Sequence, residues 1–189
     1  MSHRVAERLR LTAAAHQRAA ADVVPIVTAG EAMRAALAAG RSILAFGNGG
    51  SAADAQHFVA ELVVKYERDR PGRSAIALTT DTSILTAAGN DSGFEQVFAR
   101  QVEALGRPGD VALAITTSGD SVNVVRALET ANAHGLVTIA LTGRDGGKAG
   151  RLAQIHVNVP EPRTALAQEV HTTVLHVWCE LIDEELLNG

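Results

Sequence analysis

Aromatic residues are scarce in this chain of 189 residues, at 3%, although hydrophobic residues make up 47%. An interior filled by rings is therefore excluded, and the core must come from Ala, Val, Leu and Ile. Cysteine occurs once, as Cys179, which rules out an internal disulfide. Its place in the apolar run from Leu175 to Leu181 marks it as a buried small hydrophobe rather than a nucleophile, and a reducing compartment fits. A basic face is also missing. The net charge is −4 and the pI about 6.0, with Lys and Arg scattered, so direct nucleic-acid binding is not expected. Met1 to Arg10 lacks the apolar stretch of a signal peptide, and no segment approaches the ~18 uninterrupted apolar residues of a membrane span. The expectation is a cytoplasmic protein with no membrane partner.

The aliphatic composition suits a parallel sheet covered by helices. Five short apolar runs stand where strands are expected: Ile43 to Phe46, Ala75 to Leu78, Val111 to Ile115, Val137 to Leu141 and Ile155 to Val159. Helical patterns separate them, at Ala52 to Tyr66, Ser83 to Ala88 with Phe94 to Leu105, Val122 to His134, and a short turn at Gly147 to Leu152. Alternation of this kind implies right-handed crossovers and one α/β domain spanning residues 1–189. Before the first strand, Val5 to Ala39 predicts two helices broken near Pro25, so residues 1–40 should pack on the core or on a partner subunit. A last helix is expected from Thr164 to Leu187, with an apolar stripe through Val170, Val174, Leu175, Trp178 and Ile182. Glu67 to Arg73 is linker-like but too short to divide domains.

Three clusters carry chemistry. Gly47-Asn48-Gly49-Gly50-Ser51 follows the first strand, where glycines let the backbone approach a ligand. GNGGSA is not the dinucleotide fingerprint, and GRDGGKA at 143–149 is not a Walker loop: it is one residue short, with Ala149 where the magnesium-binding hydroxyl belongs. The alternative for GNGGS is a plain turn with a Ser helix cap. Thr116-Thr117-Ser118-Gly119-Asp120-Ser121 places four hydroxyls around one glycine at a helix start, a donor set suited to phosphate. Without Lys or Arg it suits a monoester that must be released. Ser121 as an ordinary cap would account for one hydroxyl only.

His57 and Glu61 are four apart and share one helix face. On the last helix, Gln168 and His176 point to broadly the same side, about 80° apart, while His171 lies about 60° from Gln168 the other way. Spacing does not choose between the two histidines. His57, Glu61, Gln168 and one of them could ligate Zn²⁺ or a similar divalent ion, or serve as base and acid without a metal.

GNGGS, DAQHFVAEL, AAGND, TTSGDS, ALTGRDGG and AQEVH followed by His176 resemble, in order, the sugar isomerase (SIS) domain of phosphoheptose isomerases. The similarity covers nearly the whole chain. It implies a flavodoxin-like five-stranded sheet, a homotetramer with interfacial active sites, and conversion of D-sedoheptulose 7-phosphate to D-glycero-D-manno-heptose 7-phosphate. It further implies substrate contacts from Asn48, Gly49, Gly50, Ser51, Glu61, Asn90, Asp91 and Gln168, and a phosphate held by Thr116, Thr117, Ser118 and Ser121. Glu61 and His176 would then be the acid-base pair, and His57, Glu61, Gln168 and His176 zinc ligands. The family pattern, not helix geometry, selects His176 over His171. Lys65 replaces a common arginine and Ala165 an acidic residue, which bears on substrate specificity. A bacterial replication-initiator-associating adaptor has similar GN-G-S, AQHF and QE-H segments, and residues 79–90 and 101–110 look at least as close to it. That adaptor lacks equivalents of Glu61 and His176, so their retention favours the enzyme. A phosphosugar-sensing regulator would carry a basic helix-turn-helix ahead of the sheet, and none precedes it here.

Overall fold

The computed structural model describes residues 1–183. Strands β1 (Ile43–Gly47), β2 (Ala75–Ala77), β3 (Val111–Thr116), β4 (Val137–Gly143) and β5 (Ile155–Val159) form one parallel sheet in the order β2-β1-β3-β4-β5. Around it lie α1 (Ser2–Ala19), α2 (Val24–Ala38), α3 (Gly50–Val63), α4 (Thr82–Asp91), α5 (Ala99–Leu105), α6 (Val122–Ala133), α7 (Gly147–Leu152) and α8 (Thr164–Asp183). The expected α/β architecture is present. The expected end of the last helix at Leu187 lies outside the described residues.

Side-chain alternation along the strands builds two cores. Ile43, Ala45, Val111, Leu113, Ile115, Ile139 and Leu141 face α2, α3 and α8, and the stripe Val170, Val174, Leu175, Trp178 and Ile182 closes on them. Leu44, Phe46, Ala112, Ala114 and Ala140 face α5 and α6. Small alanines on that second face let its helices sit close. Cys179 is fully buried, and burial pushes its thiol up to about 12, which leaves it unreactive.

The N-terminal helices dock on α8. Trp178 Nε1 donates to the Ile26 carbonyl at 2.9 Å, Thr12 donates to Glu169 at 2.7 Å, and Arg8 pairs with the same carboxylate. The two helices are interrupted near Pro25, as expected, although Pro25 itself does not sit in the break. It occupies the first turn of α2, where its missing N–H has no intrahelical partner to lose, and the break falls at residues 20–23. The linker-like stretch is pinned as well. Arg70 pairs with Asp183 at 2.7 Å and donates to the carbonyls of Leu62 and Glu61 at 2.8 and 2.9 Å, capping the end of α3. Among the described residues no helix is long and apolar enough to cross a membrane.

Candidate active site

β1 and β3 are neighbours, with Gly47 registered to Ile115, and β2 continues the sheet on one side while β4 continues it on the other. Their carboxyl ends flank the point where strand order reverses, which is where open parallel sheets hold ligands. Both glycine- and hydroxyl-bearing loops leave from this point. A Cβ on Gly47 would stand 2.5 Å from the Ile115 carbonyl oxygen, and Gly49 adopts φ 56°, so the first loop needs glycine at both positions. Gly50 lets the Gln168 amide lie against α3, and Ser51 is buried. Asn48 is held by a reciprocal amide pair with Asn123, each donating to the other at 2.8 Å. Asn123 has no sequence signal of its own; its burial on the first turn of α6 emerges only in the fold.

Thr116 ends β3, and its hydroxyl accepts the Gly119 N–H at 3.3 Å. Ser118 Oγ accepts the Asp120 N–H at 3.2 Å. Ser121 stands at the N-cap of α6 but makes no side-chain capping bond, so capping does not account for its hydroxyl. The loop's acidic side chain, Asp120, accepts the Lys148 N–H at 3.1 Å. Four hydroxyls at the α6 N-terminus are a donor set whose chemistry suits an anion, with Asp120 the one acidic side chain of the loop.

From Gly50 the helices α3 and α8 run alongside one another, pairing Gly50 with Gln168, Asp54 with Thr172, His57 with His176, and Phe58 with Trp178. His57 Nε2 lies 3.3 Å from Glu61 Oε1 and 3.5 Å from His176 Nε2, with the two imidazole rings edge to face. Tyr66 packs its ring 5.6 Å from that of His176. His171 turns the other way: it is fully buried and donates from Nε2 to the Thr142 carbonyl at 2.9 Å. Asp54, also unread from the sequence, accepts from Thr172 at 3.1 Å while its second oxygen is buried without a partner. Burial raises its carboxyl above the usual range, opposed by the Thr172 bond and the His57 charge.

The imidazole and carboxylate donors of His57, Glu61 and His176 suit a divalent ion such as zinc in chemical type. In spacing they touch one another, and among the described residues no three His, Cys, Asp or Glu surround a common centre. Gln168 lies one end of the seam away, beside Gly50, since eight residues of helix rise about 12 Å. Asn90 and Asp91 are exposed at the end of α4, with the Asn90 amide donating to Asp91 at 2.7 Å and no hydrogen bond to either loop. Lys65 is paired with Asp69 at 2.6 Å, and Ala165 is exposed.

Residues 9–143 match the SIS domain family. A phosphoheptose isomerase of Methylibium petroleiphilum is 55% identical over 86% of this chain and 83% of its own length. That of Neisseria meningitidis serogroup A is 49% identical over 100% of this chain and 98% of its own. Among solved structures, the phosphoheptose isomerase of Neisseria gonorrhoeae superposes with a TM-score of 0.92 at 48% identity, covering 97% of this chain and 98% of that one.

Proposed function

The chain belongs to the phosphoheptose isomerases, which carry the SIS domain, and from that premise we propose that it interconverts D-sedoheptulose 7-phosphate and D-glycero-D-manno-heptose 7-phosphate. The observation that supports this reading is that His57, Glu61 and His176 meet on α3 and α8 while the hydroxyl-bearing loop of residues 116–121 lies separately at the switch point. A heptose 7-phosphate likewise carries its phosphate and its reacting carbons at opposite ends. The adaptor reading gains no support, since Glu61 and His176 are both present and in register with His57.

In this mechanism Thr116, Thr117, Ser118 and Ser121 hold the phosphate, while Asn48, Gly49, Gly50, Ser51, Asn90 and Asp91 contact the sugar. Glu61 removes the carbon-bound proton and returns it to the neighbouring carbon, and His176 moves the proton on the oxygen, giving an enediol between the two sugars. His57, between them, fixes the orientation of both. His57, Glu61, His176 and Gln168 would hold a zinc ion, which when bound supplies charge stabilisation at the developing oxyanion. Gln168 then has to leave Gly50, and Glu61 has to be freed at least in part to act as base. The buried, unreactive Cys179 suits a cytoplasmic location. Incubation of the purified protein with sedoheptulose 7-phosphate should yield the aldoheptose phosphate; a folded protein giving none would overturn the assignment.

Replacing Ser118 and Ser121 together with Ala should raise KM about tenfold or more, because each removes a phosphate donor present in ground and transition states alike. Unchanged affinity would reassign the loop as structural.

We further propose a homotetramer with sites completed between subunits. Leu9 and Val24 are 66% and 69% exposed, and Val5 on α1, Val23 just before α2 and Val27 on α2 are exposed as well, so both N-terminal helices leave apolar side chains uncovered. Light scattering should report four chains at micromolar concentration, and a monomer would count against shared sites.

A further inference from the structure

Behind the loop of residues 116–121 lies a chain of polar contacts that the proposed chemistry does not use. Thr142, next to last in β4, donates its hydroxyl proton to Asn158 Oδ1 at 2.9 Å. With that one proton spent, the hydroxyl can only accept from His156 Nε2, 2.7 Å away. Asn158 passes the order on by donating its Nδ2–H to the Arg144 carbonyl at 3.2 Å. Arg144 is the one non-glycine residue with positive φ among the described residues, at 51°, so the turn after β4 is held in a conformation that L side chains rarely adopt. The His156 ring also fills the space under this turn. A Cβ on either Gly146 or Gly150 would stand 2.4 Å from its Cε1 atom. Burial lowers the His156 pKa, so near neutral pH the ring is uncharged and carries one N–H.

The other side of the same turn presses on that loop. A Cβ on Gly119 would lie 2.1 Å from the Gly146 carbonyl oxygen, and one on Gly147 would lie 2.6 Å from the Gly119 carbonyl carbon. The Ala149 N–H donates to the Gly119 carbonyl at 2.8 Å, and the Lys148 N–H to Asp120 at 3.1 Å. Backbone meets backbone here without side chains to absorb a shift, so a displaced turn has to displace Gly119 and Asp120 with it.

We propose that His156 is a positioning residue for phosphate binding: through Thr142, Asn158 and the glycine turn at 143–149 it fixes the loop at 116–121 before the phosphate arrives. The inference rests on the reading of that loop as the phosphate site. His156 touches no substrate, so its effect belongs in affinity rather than in proton transfer.

The test compares His156→Leu, His156→Gln and Asn158→Ala, with KM, kcat, competitive inhibition by inorganic phosphate and thermal melting measured on each. His156→Leu should raise both KM and the inhibition constant for inorganic phosphate about three- to tenfold with kcat changed less than about twofold, as expected for one lost hydrogen bond acting on uniform binding. His156→Gln can still donate from its amide to Thr142 and should recover most of the affinity. Asn158→Ala breaks the chain at its other end, should weaken phosphate in the same direction, and decides the matter if His156→Leu does not fold. Wild-type phosphate inhibition in folded His156→Leu or Asn158→Ala would overturn the proposal, as would a Gln variant no better than Leu or a fall confined to kcat. The Ser118→Ala, Ser121→Ala double variant separates the two readings. If it too leaves phosphate inhibition unchanged, the phosphate site itself is misplaced; if it alone weakens inhibition, only the role of His156 falls.

Discussion

Glu61→Gln should lower kcat at least about a hundredfold while phosphate inhibition stays near wild type, because general acid-base groups typically contribute about 10²- to 10⁴-fold. The amide keeps the size of the carboxylate and can still accept from His57, which stands 3.3 Å from it, but it cannot take a proton from carbon. His176→Asn should cost a similar factor by removing the titrating imidazole. Both side chains meet at His57 Nε2, and if they act in one proton-transfer sequence, as proposed, the double variant should lose less than the product of the two factors. Single-turnover isomerisation is the measurement, with thermal melting alongside so that unfolding is not read as lost chemistry. Folded single variants running at wild-type rates would remove Glu61 and His176 from the reaction.

These two residues show what a sequence conveys and where it stops. The five strands are legible because each is a short, mostly aliphatic run between helix-length segments; the inner strands β1 and β3 are buried on both faces and read as unbroken apolar runs, while β4 carries Thr138 and the edge strand β5 alternates Ile155, Val157 and Val159 with His156 and Asn158. The loops are legible because glycine and hydroxyl clusters at strand ends have few other uses. His57 and Glu61 are legible as a pair because four residues of helix bring them together. What joins them to His176 is the packing of α3 on α8, a contact 119 residues apart in the chain for His57 and His176, and no local pattern encodes it. The polar groups behind the site were missed for a related reason. Asn123, Asp54 and His156 belong to no local motif, and their meaning lies in a partner elsewhere: Asn48 at 2.8 Å, Thr172 at 3.1 Å and Thr142 at 2.7 Å. The interruption near Pro25 is legible because proline marks a helix boundary whether it breaks a helix interior or opens a helix, and the fold shows the second case.

The choice between His171 and His176, left open by helical spacing, yields a second large effect, this one on stability. His171 is fully buried against β4, and burial lowers its pKa from the ordinary 6.5 to about 4, outweighing the bond to the Thr142 carbonyl. Between those two values the unfolded chain binds the proton and the folded chain does not. Stability contributed by the neutral ring is therefore fully present above about pH 6.5 and is lost as pH falls through about 4. At about 1.36 kcal/mol per unit, the full effect is on the order of 3 kcal/mol, a sizeable share of a domain's total. His171→Gln can keep a donor toward Thr142 but has nothing to titrate. Its stability at pH 7 should fall by about 1 kcal/mol for imperfect packing, while its further loss between pH 7 and pH 4 should be smaller than that of the wild type. Denaturant unfolding of both proteins at a series of pH values gives the difference directly, and carboxylates common to the two cancel in it. Parallel pH profiles would show that His171 does not stay neutral in the fold. The same variant should keep its kcat per folded molecule, in contrast to His176→Asn, since it is packing against the sheet, and not the sugar, that holds His171 in place.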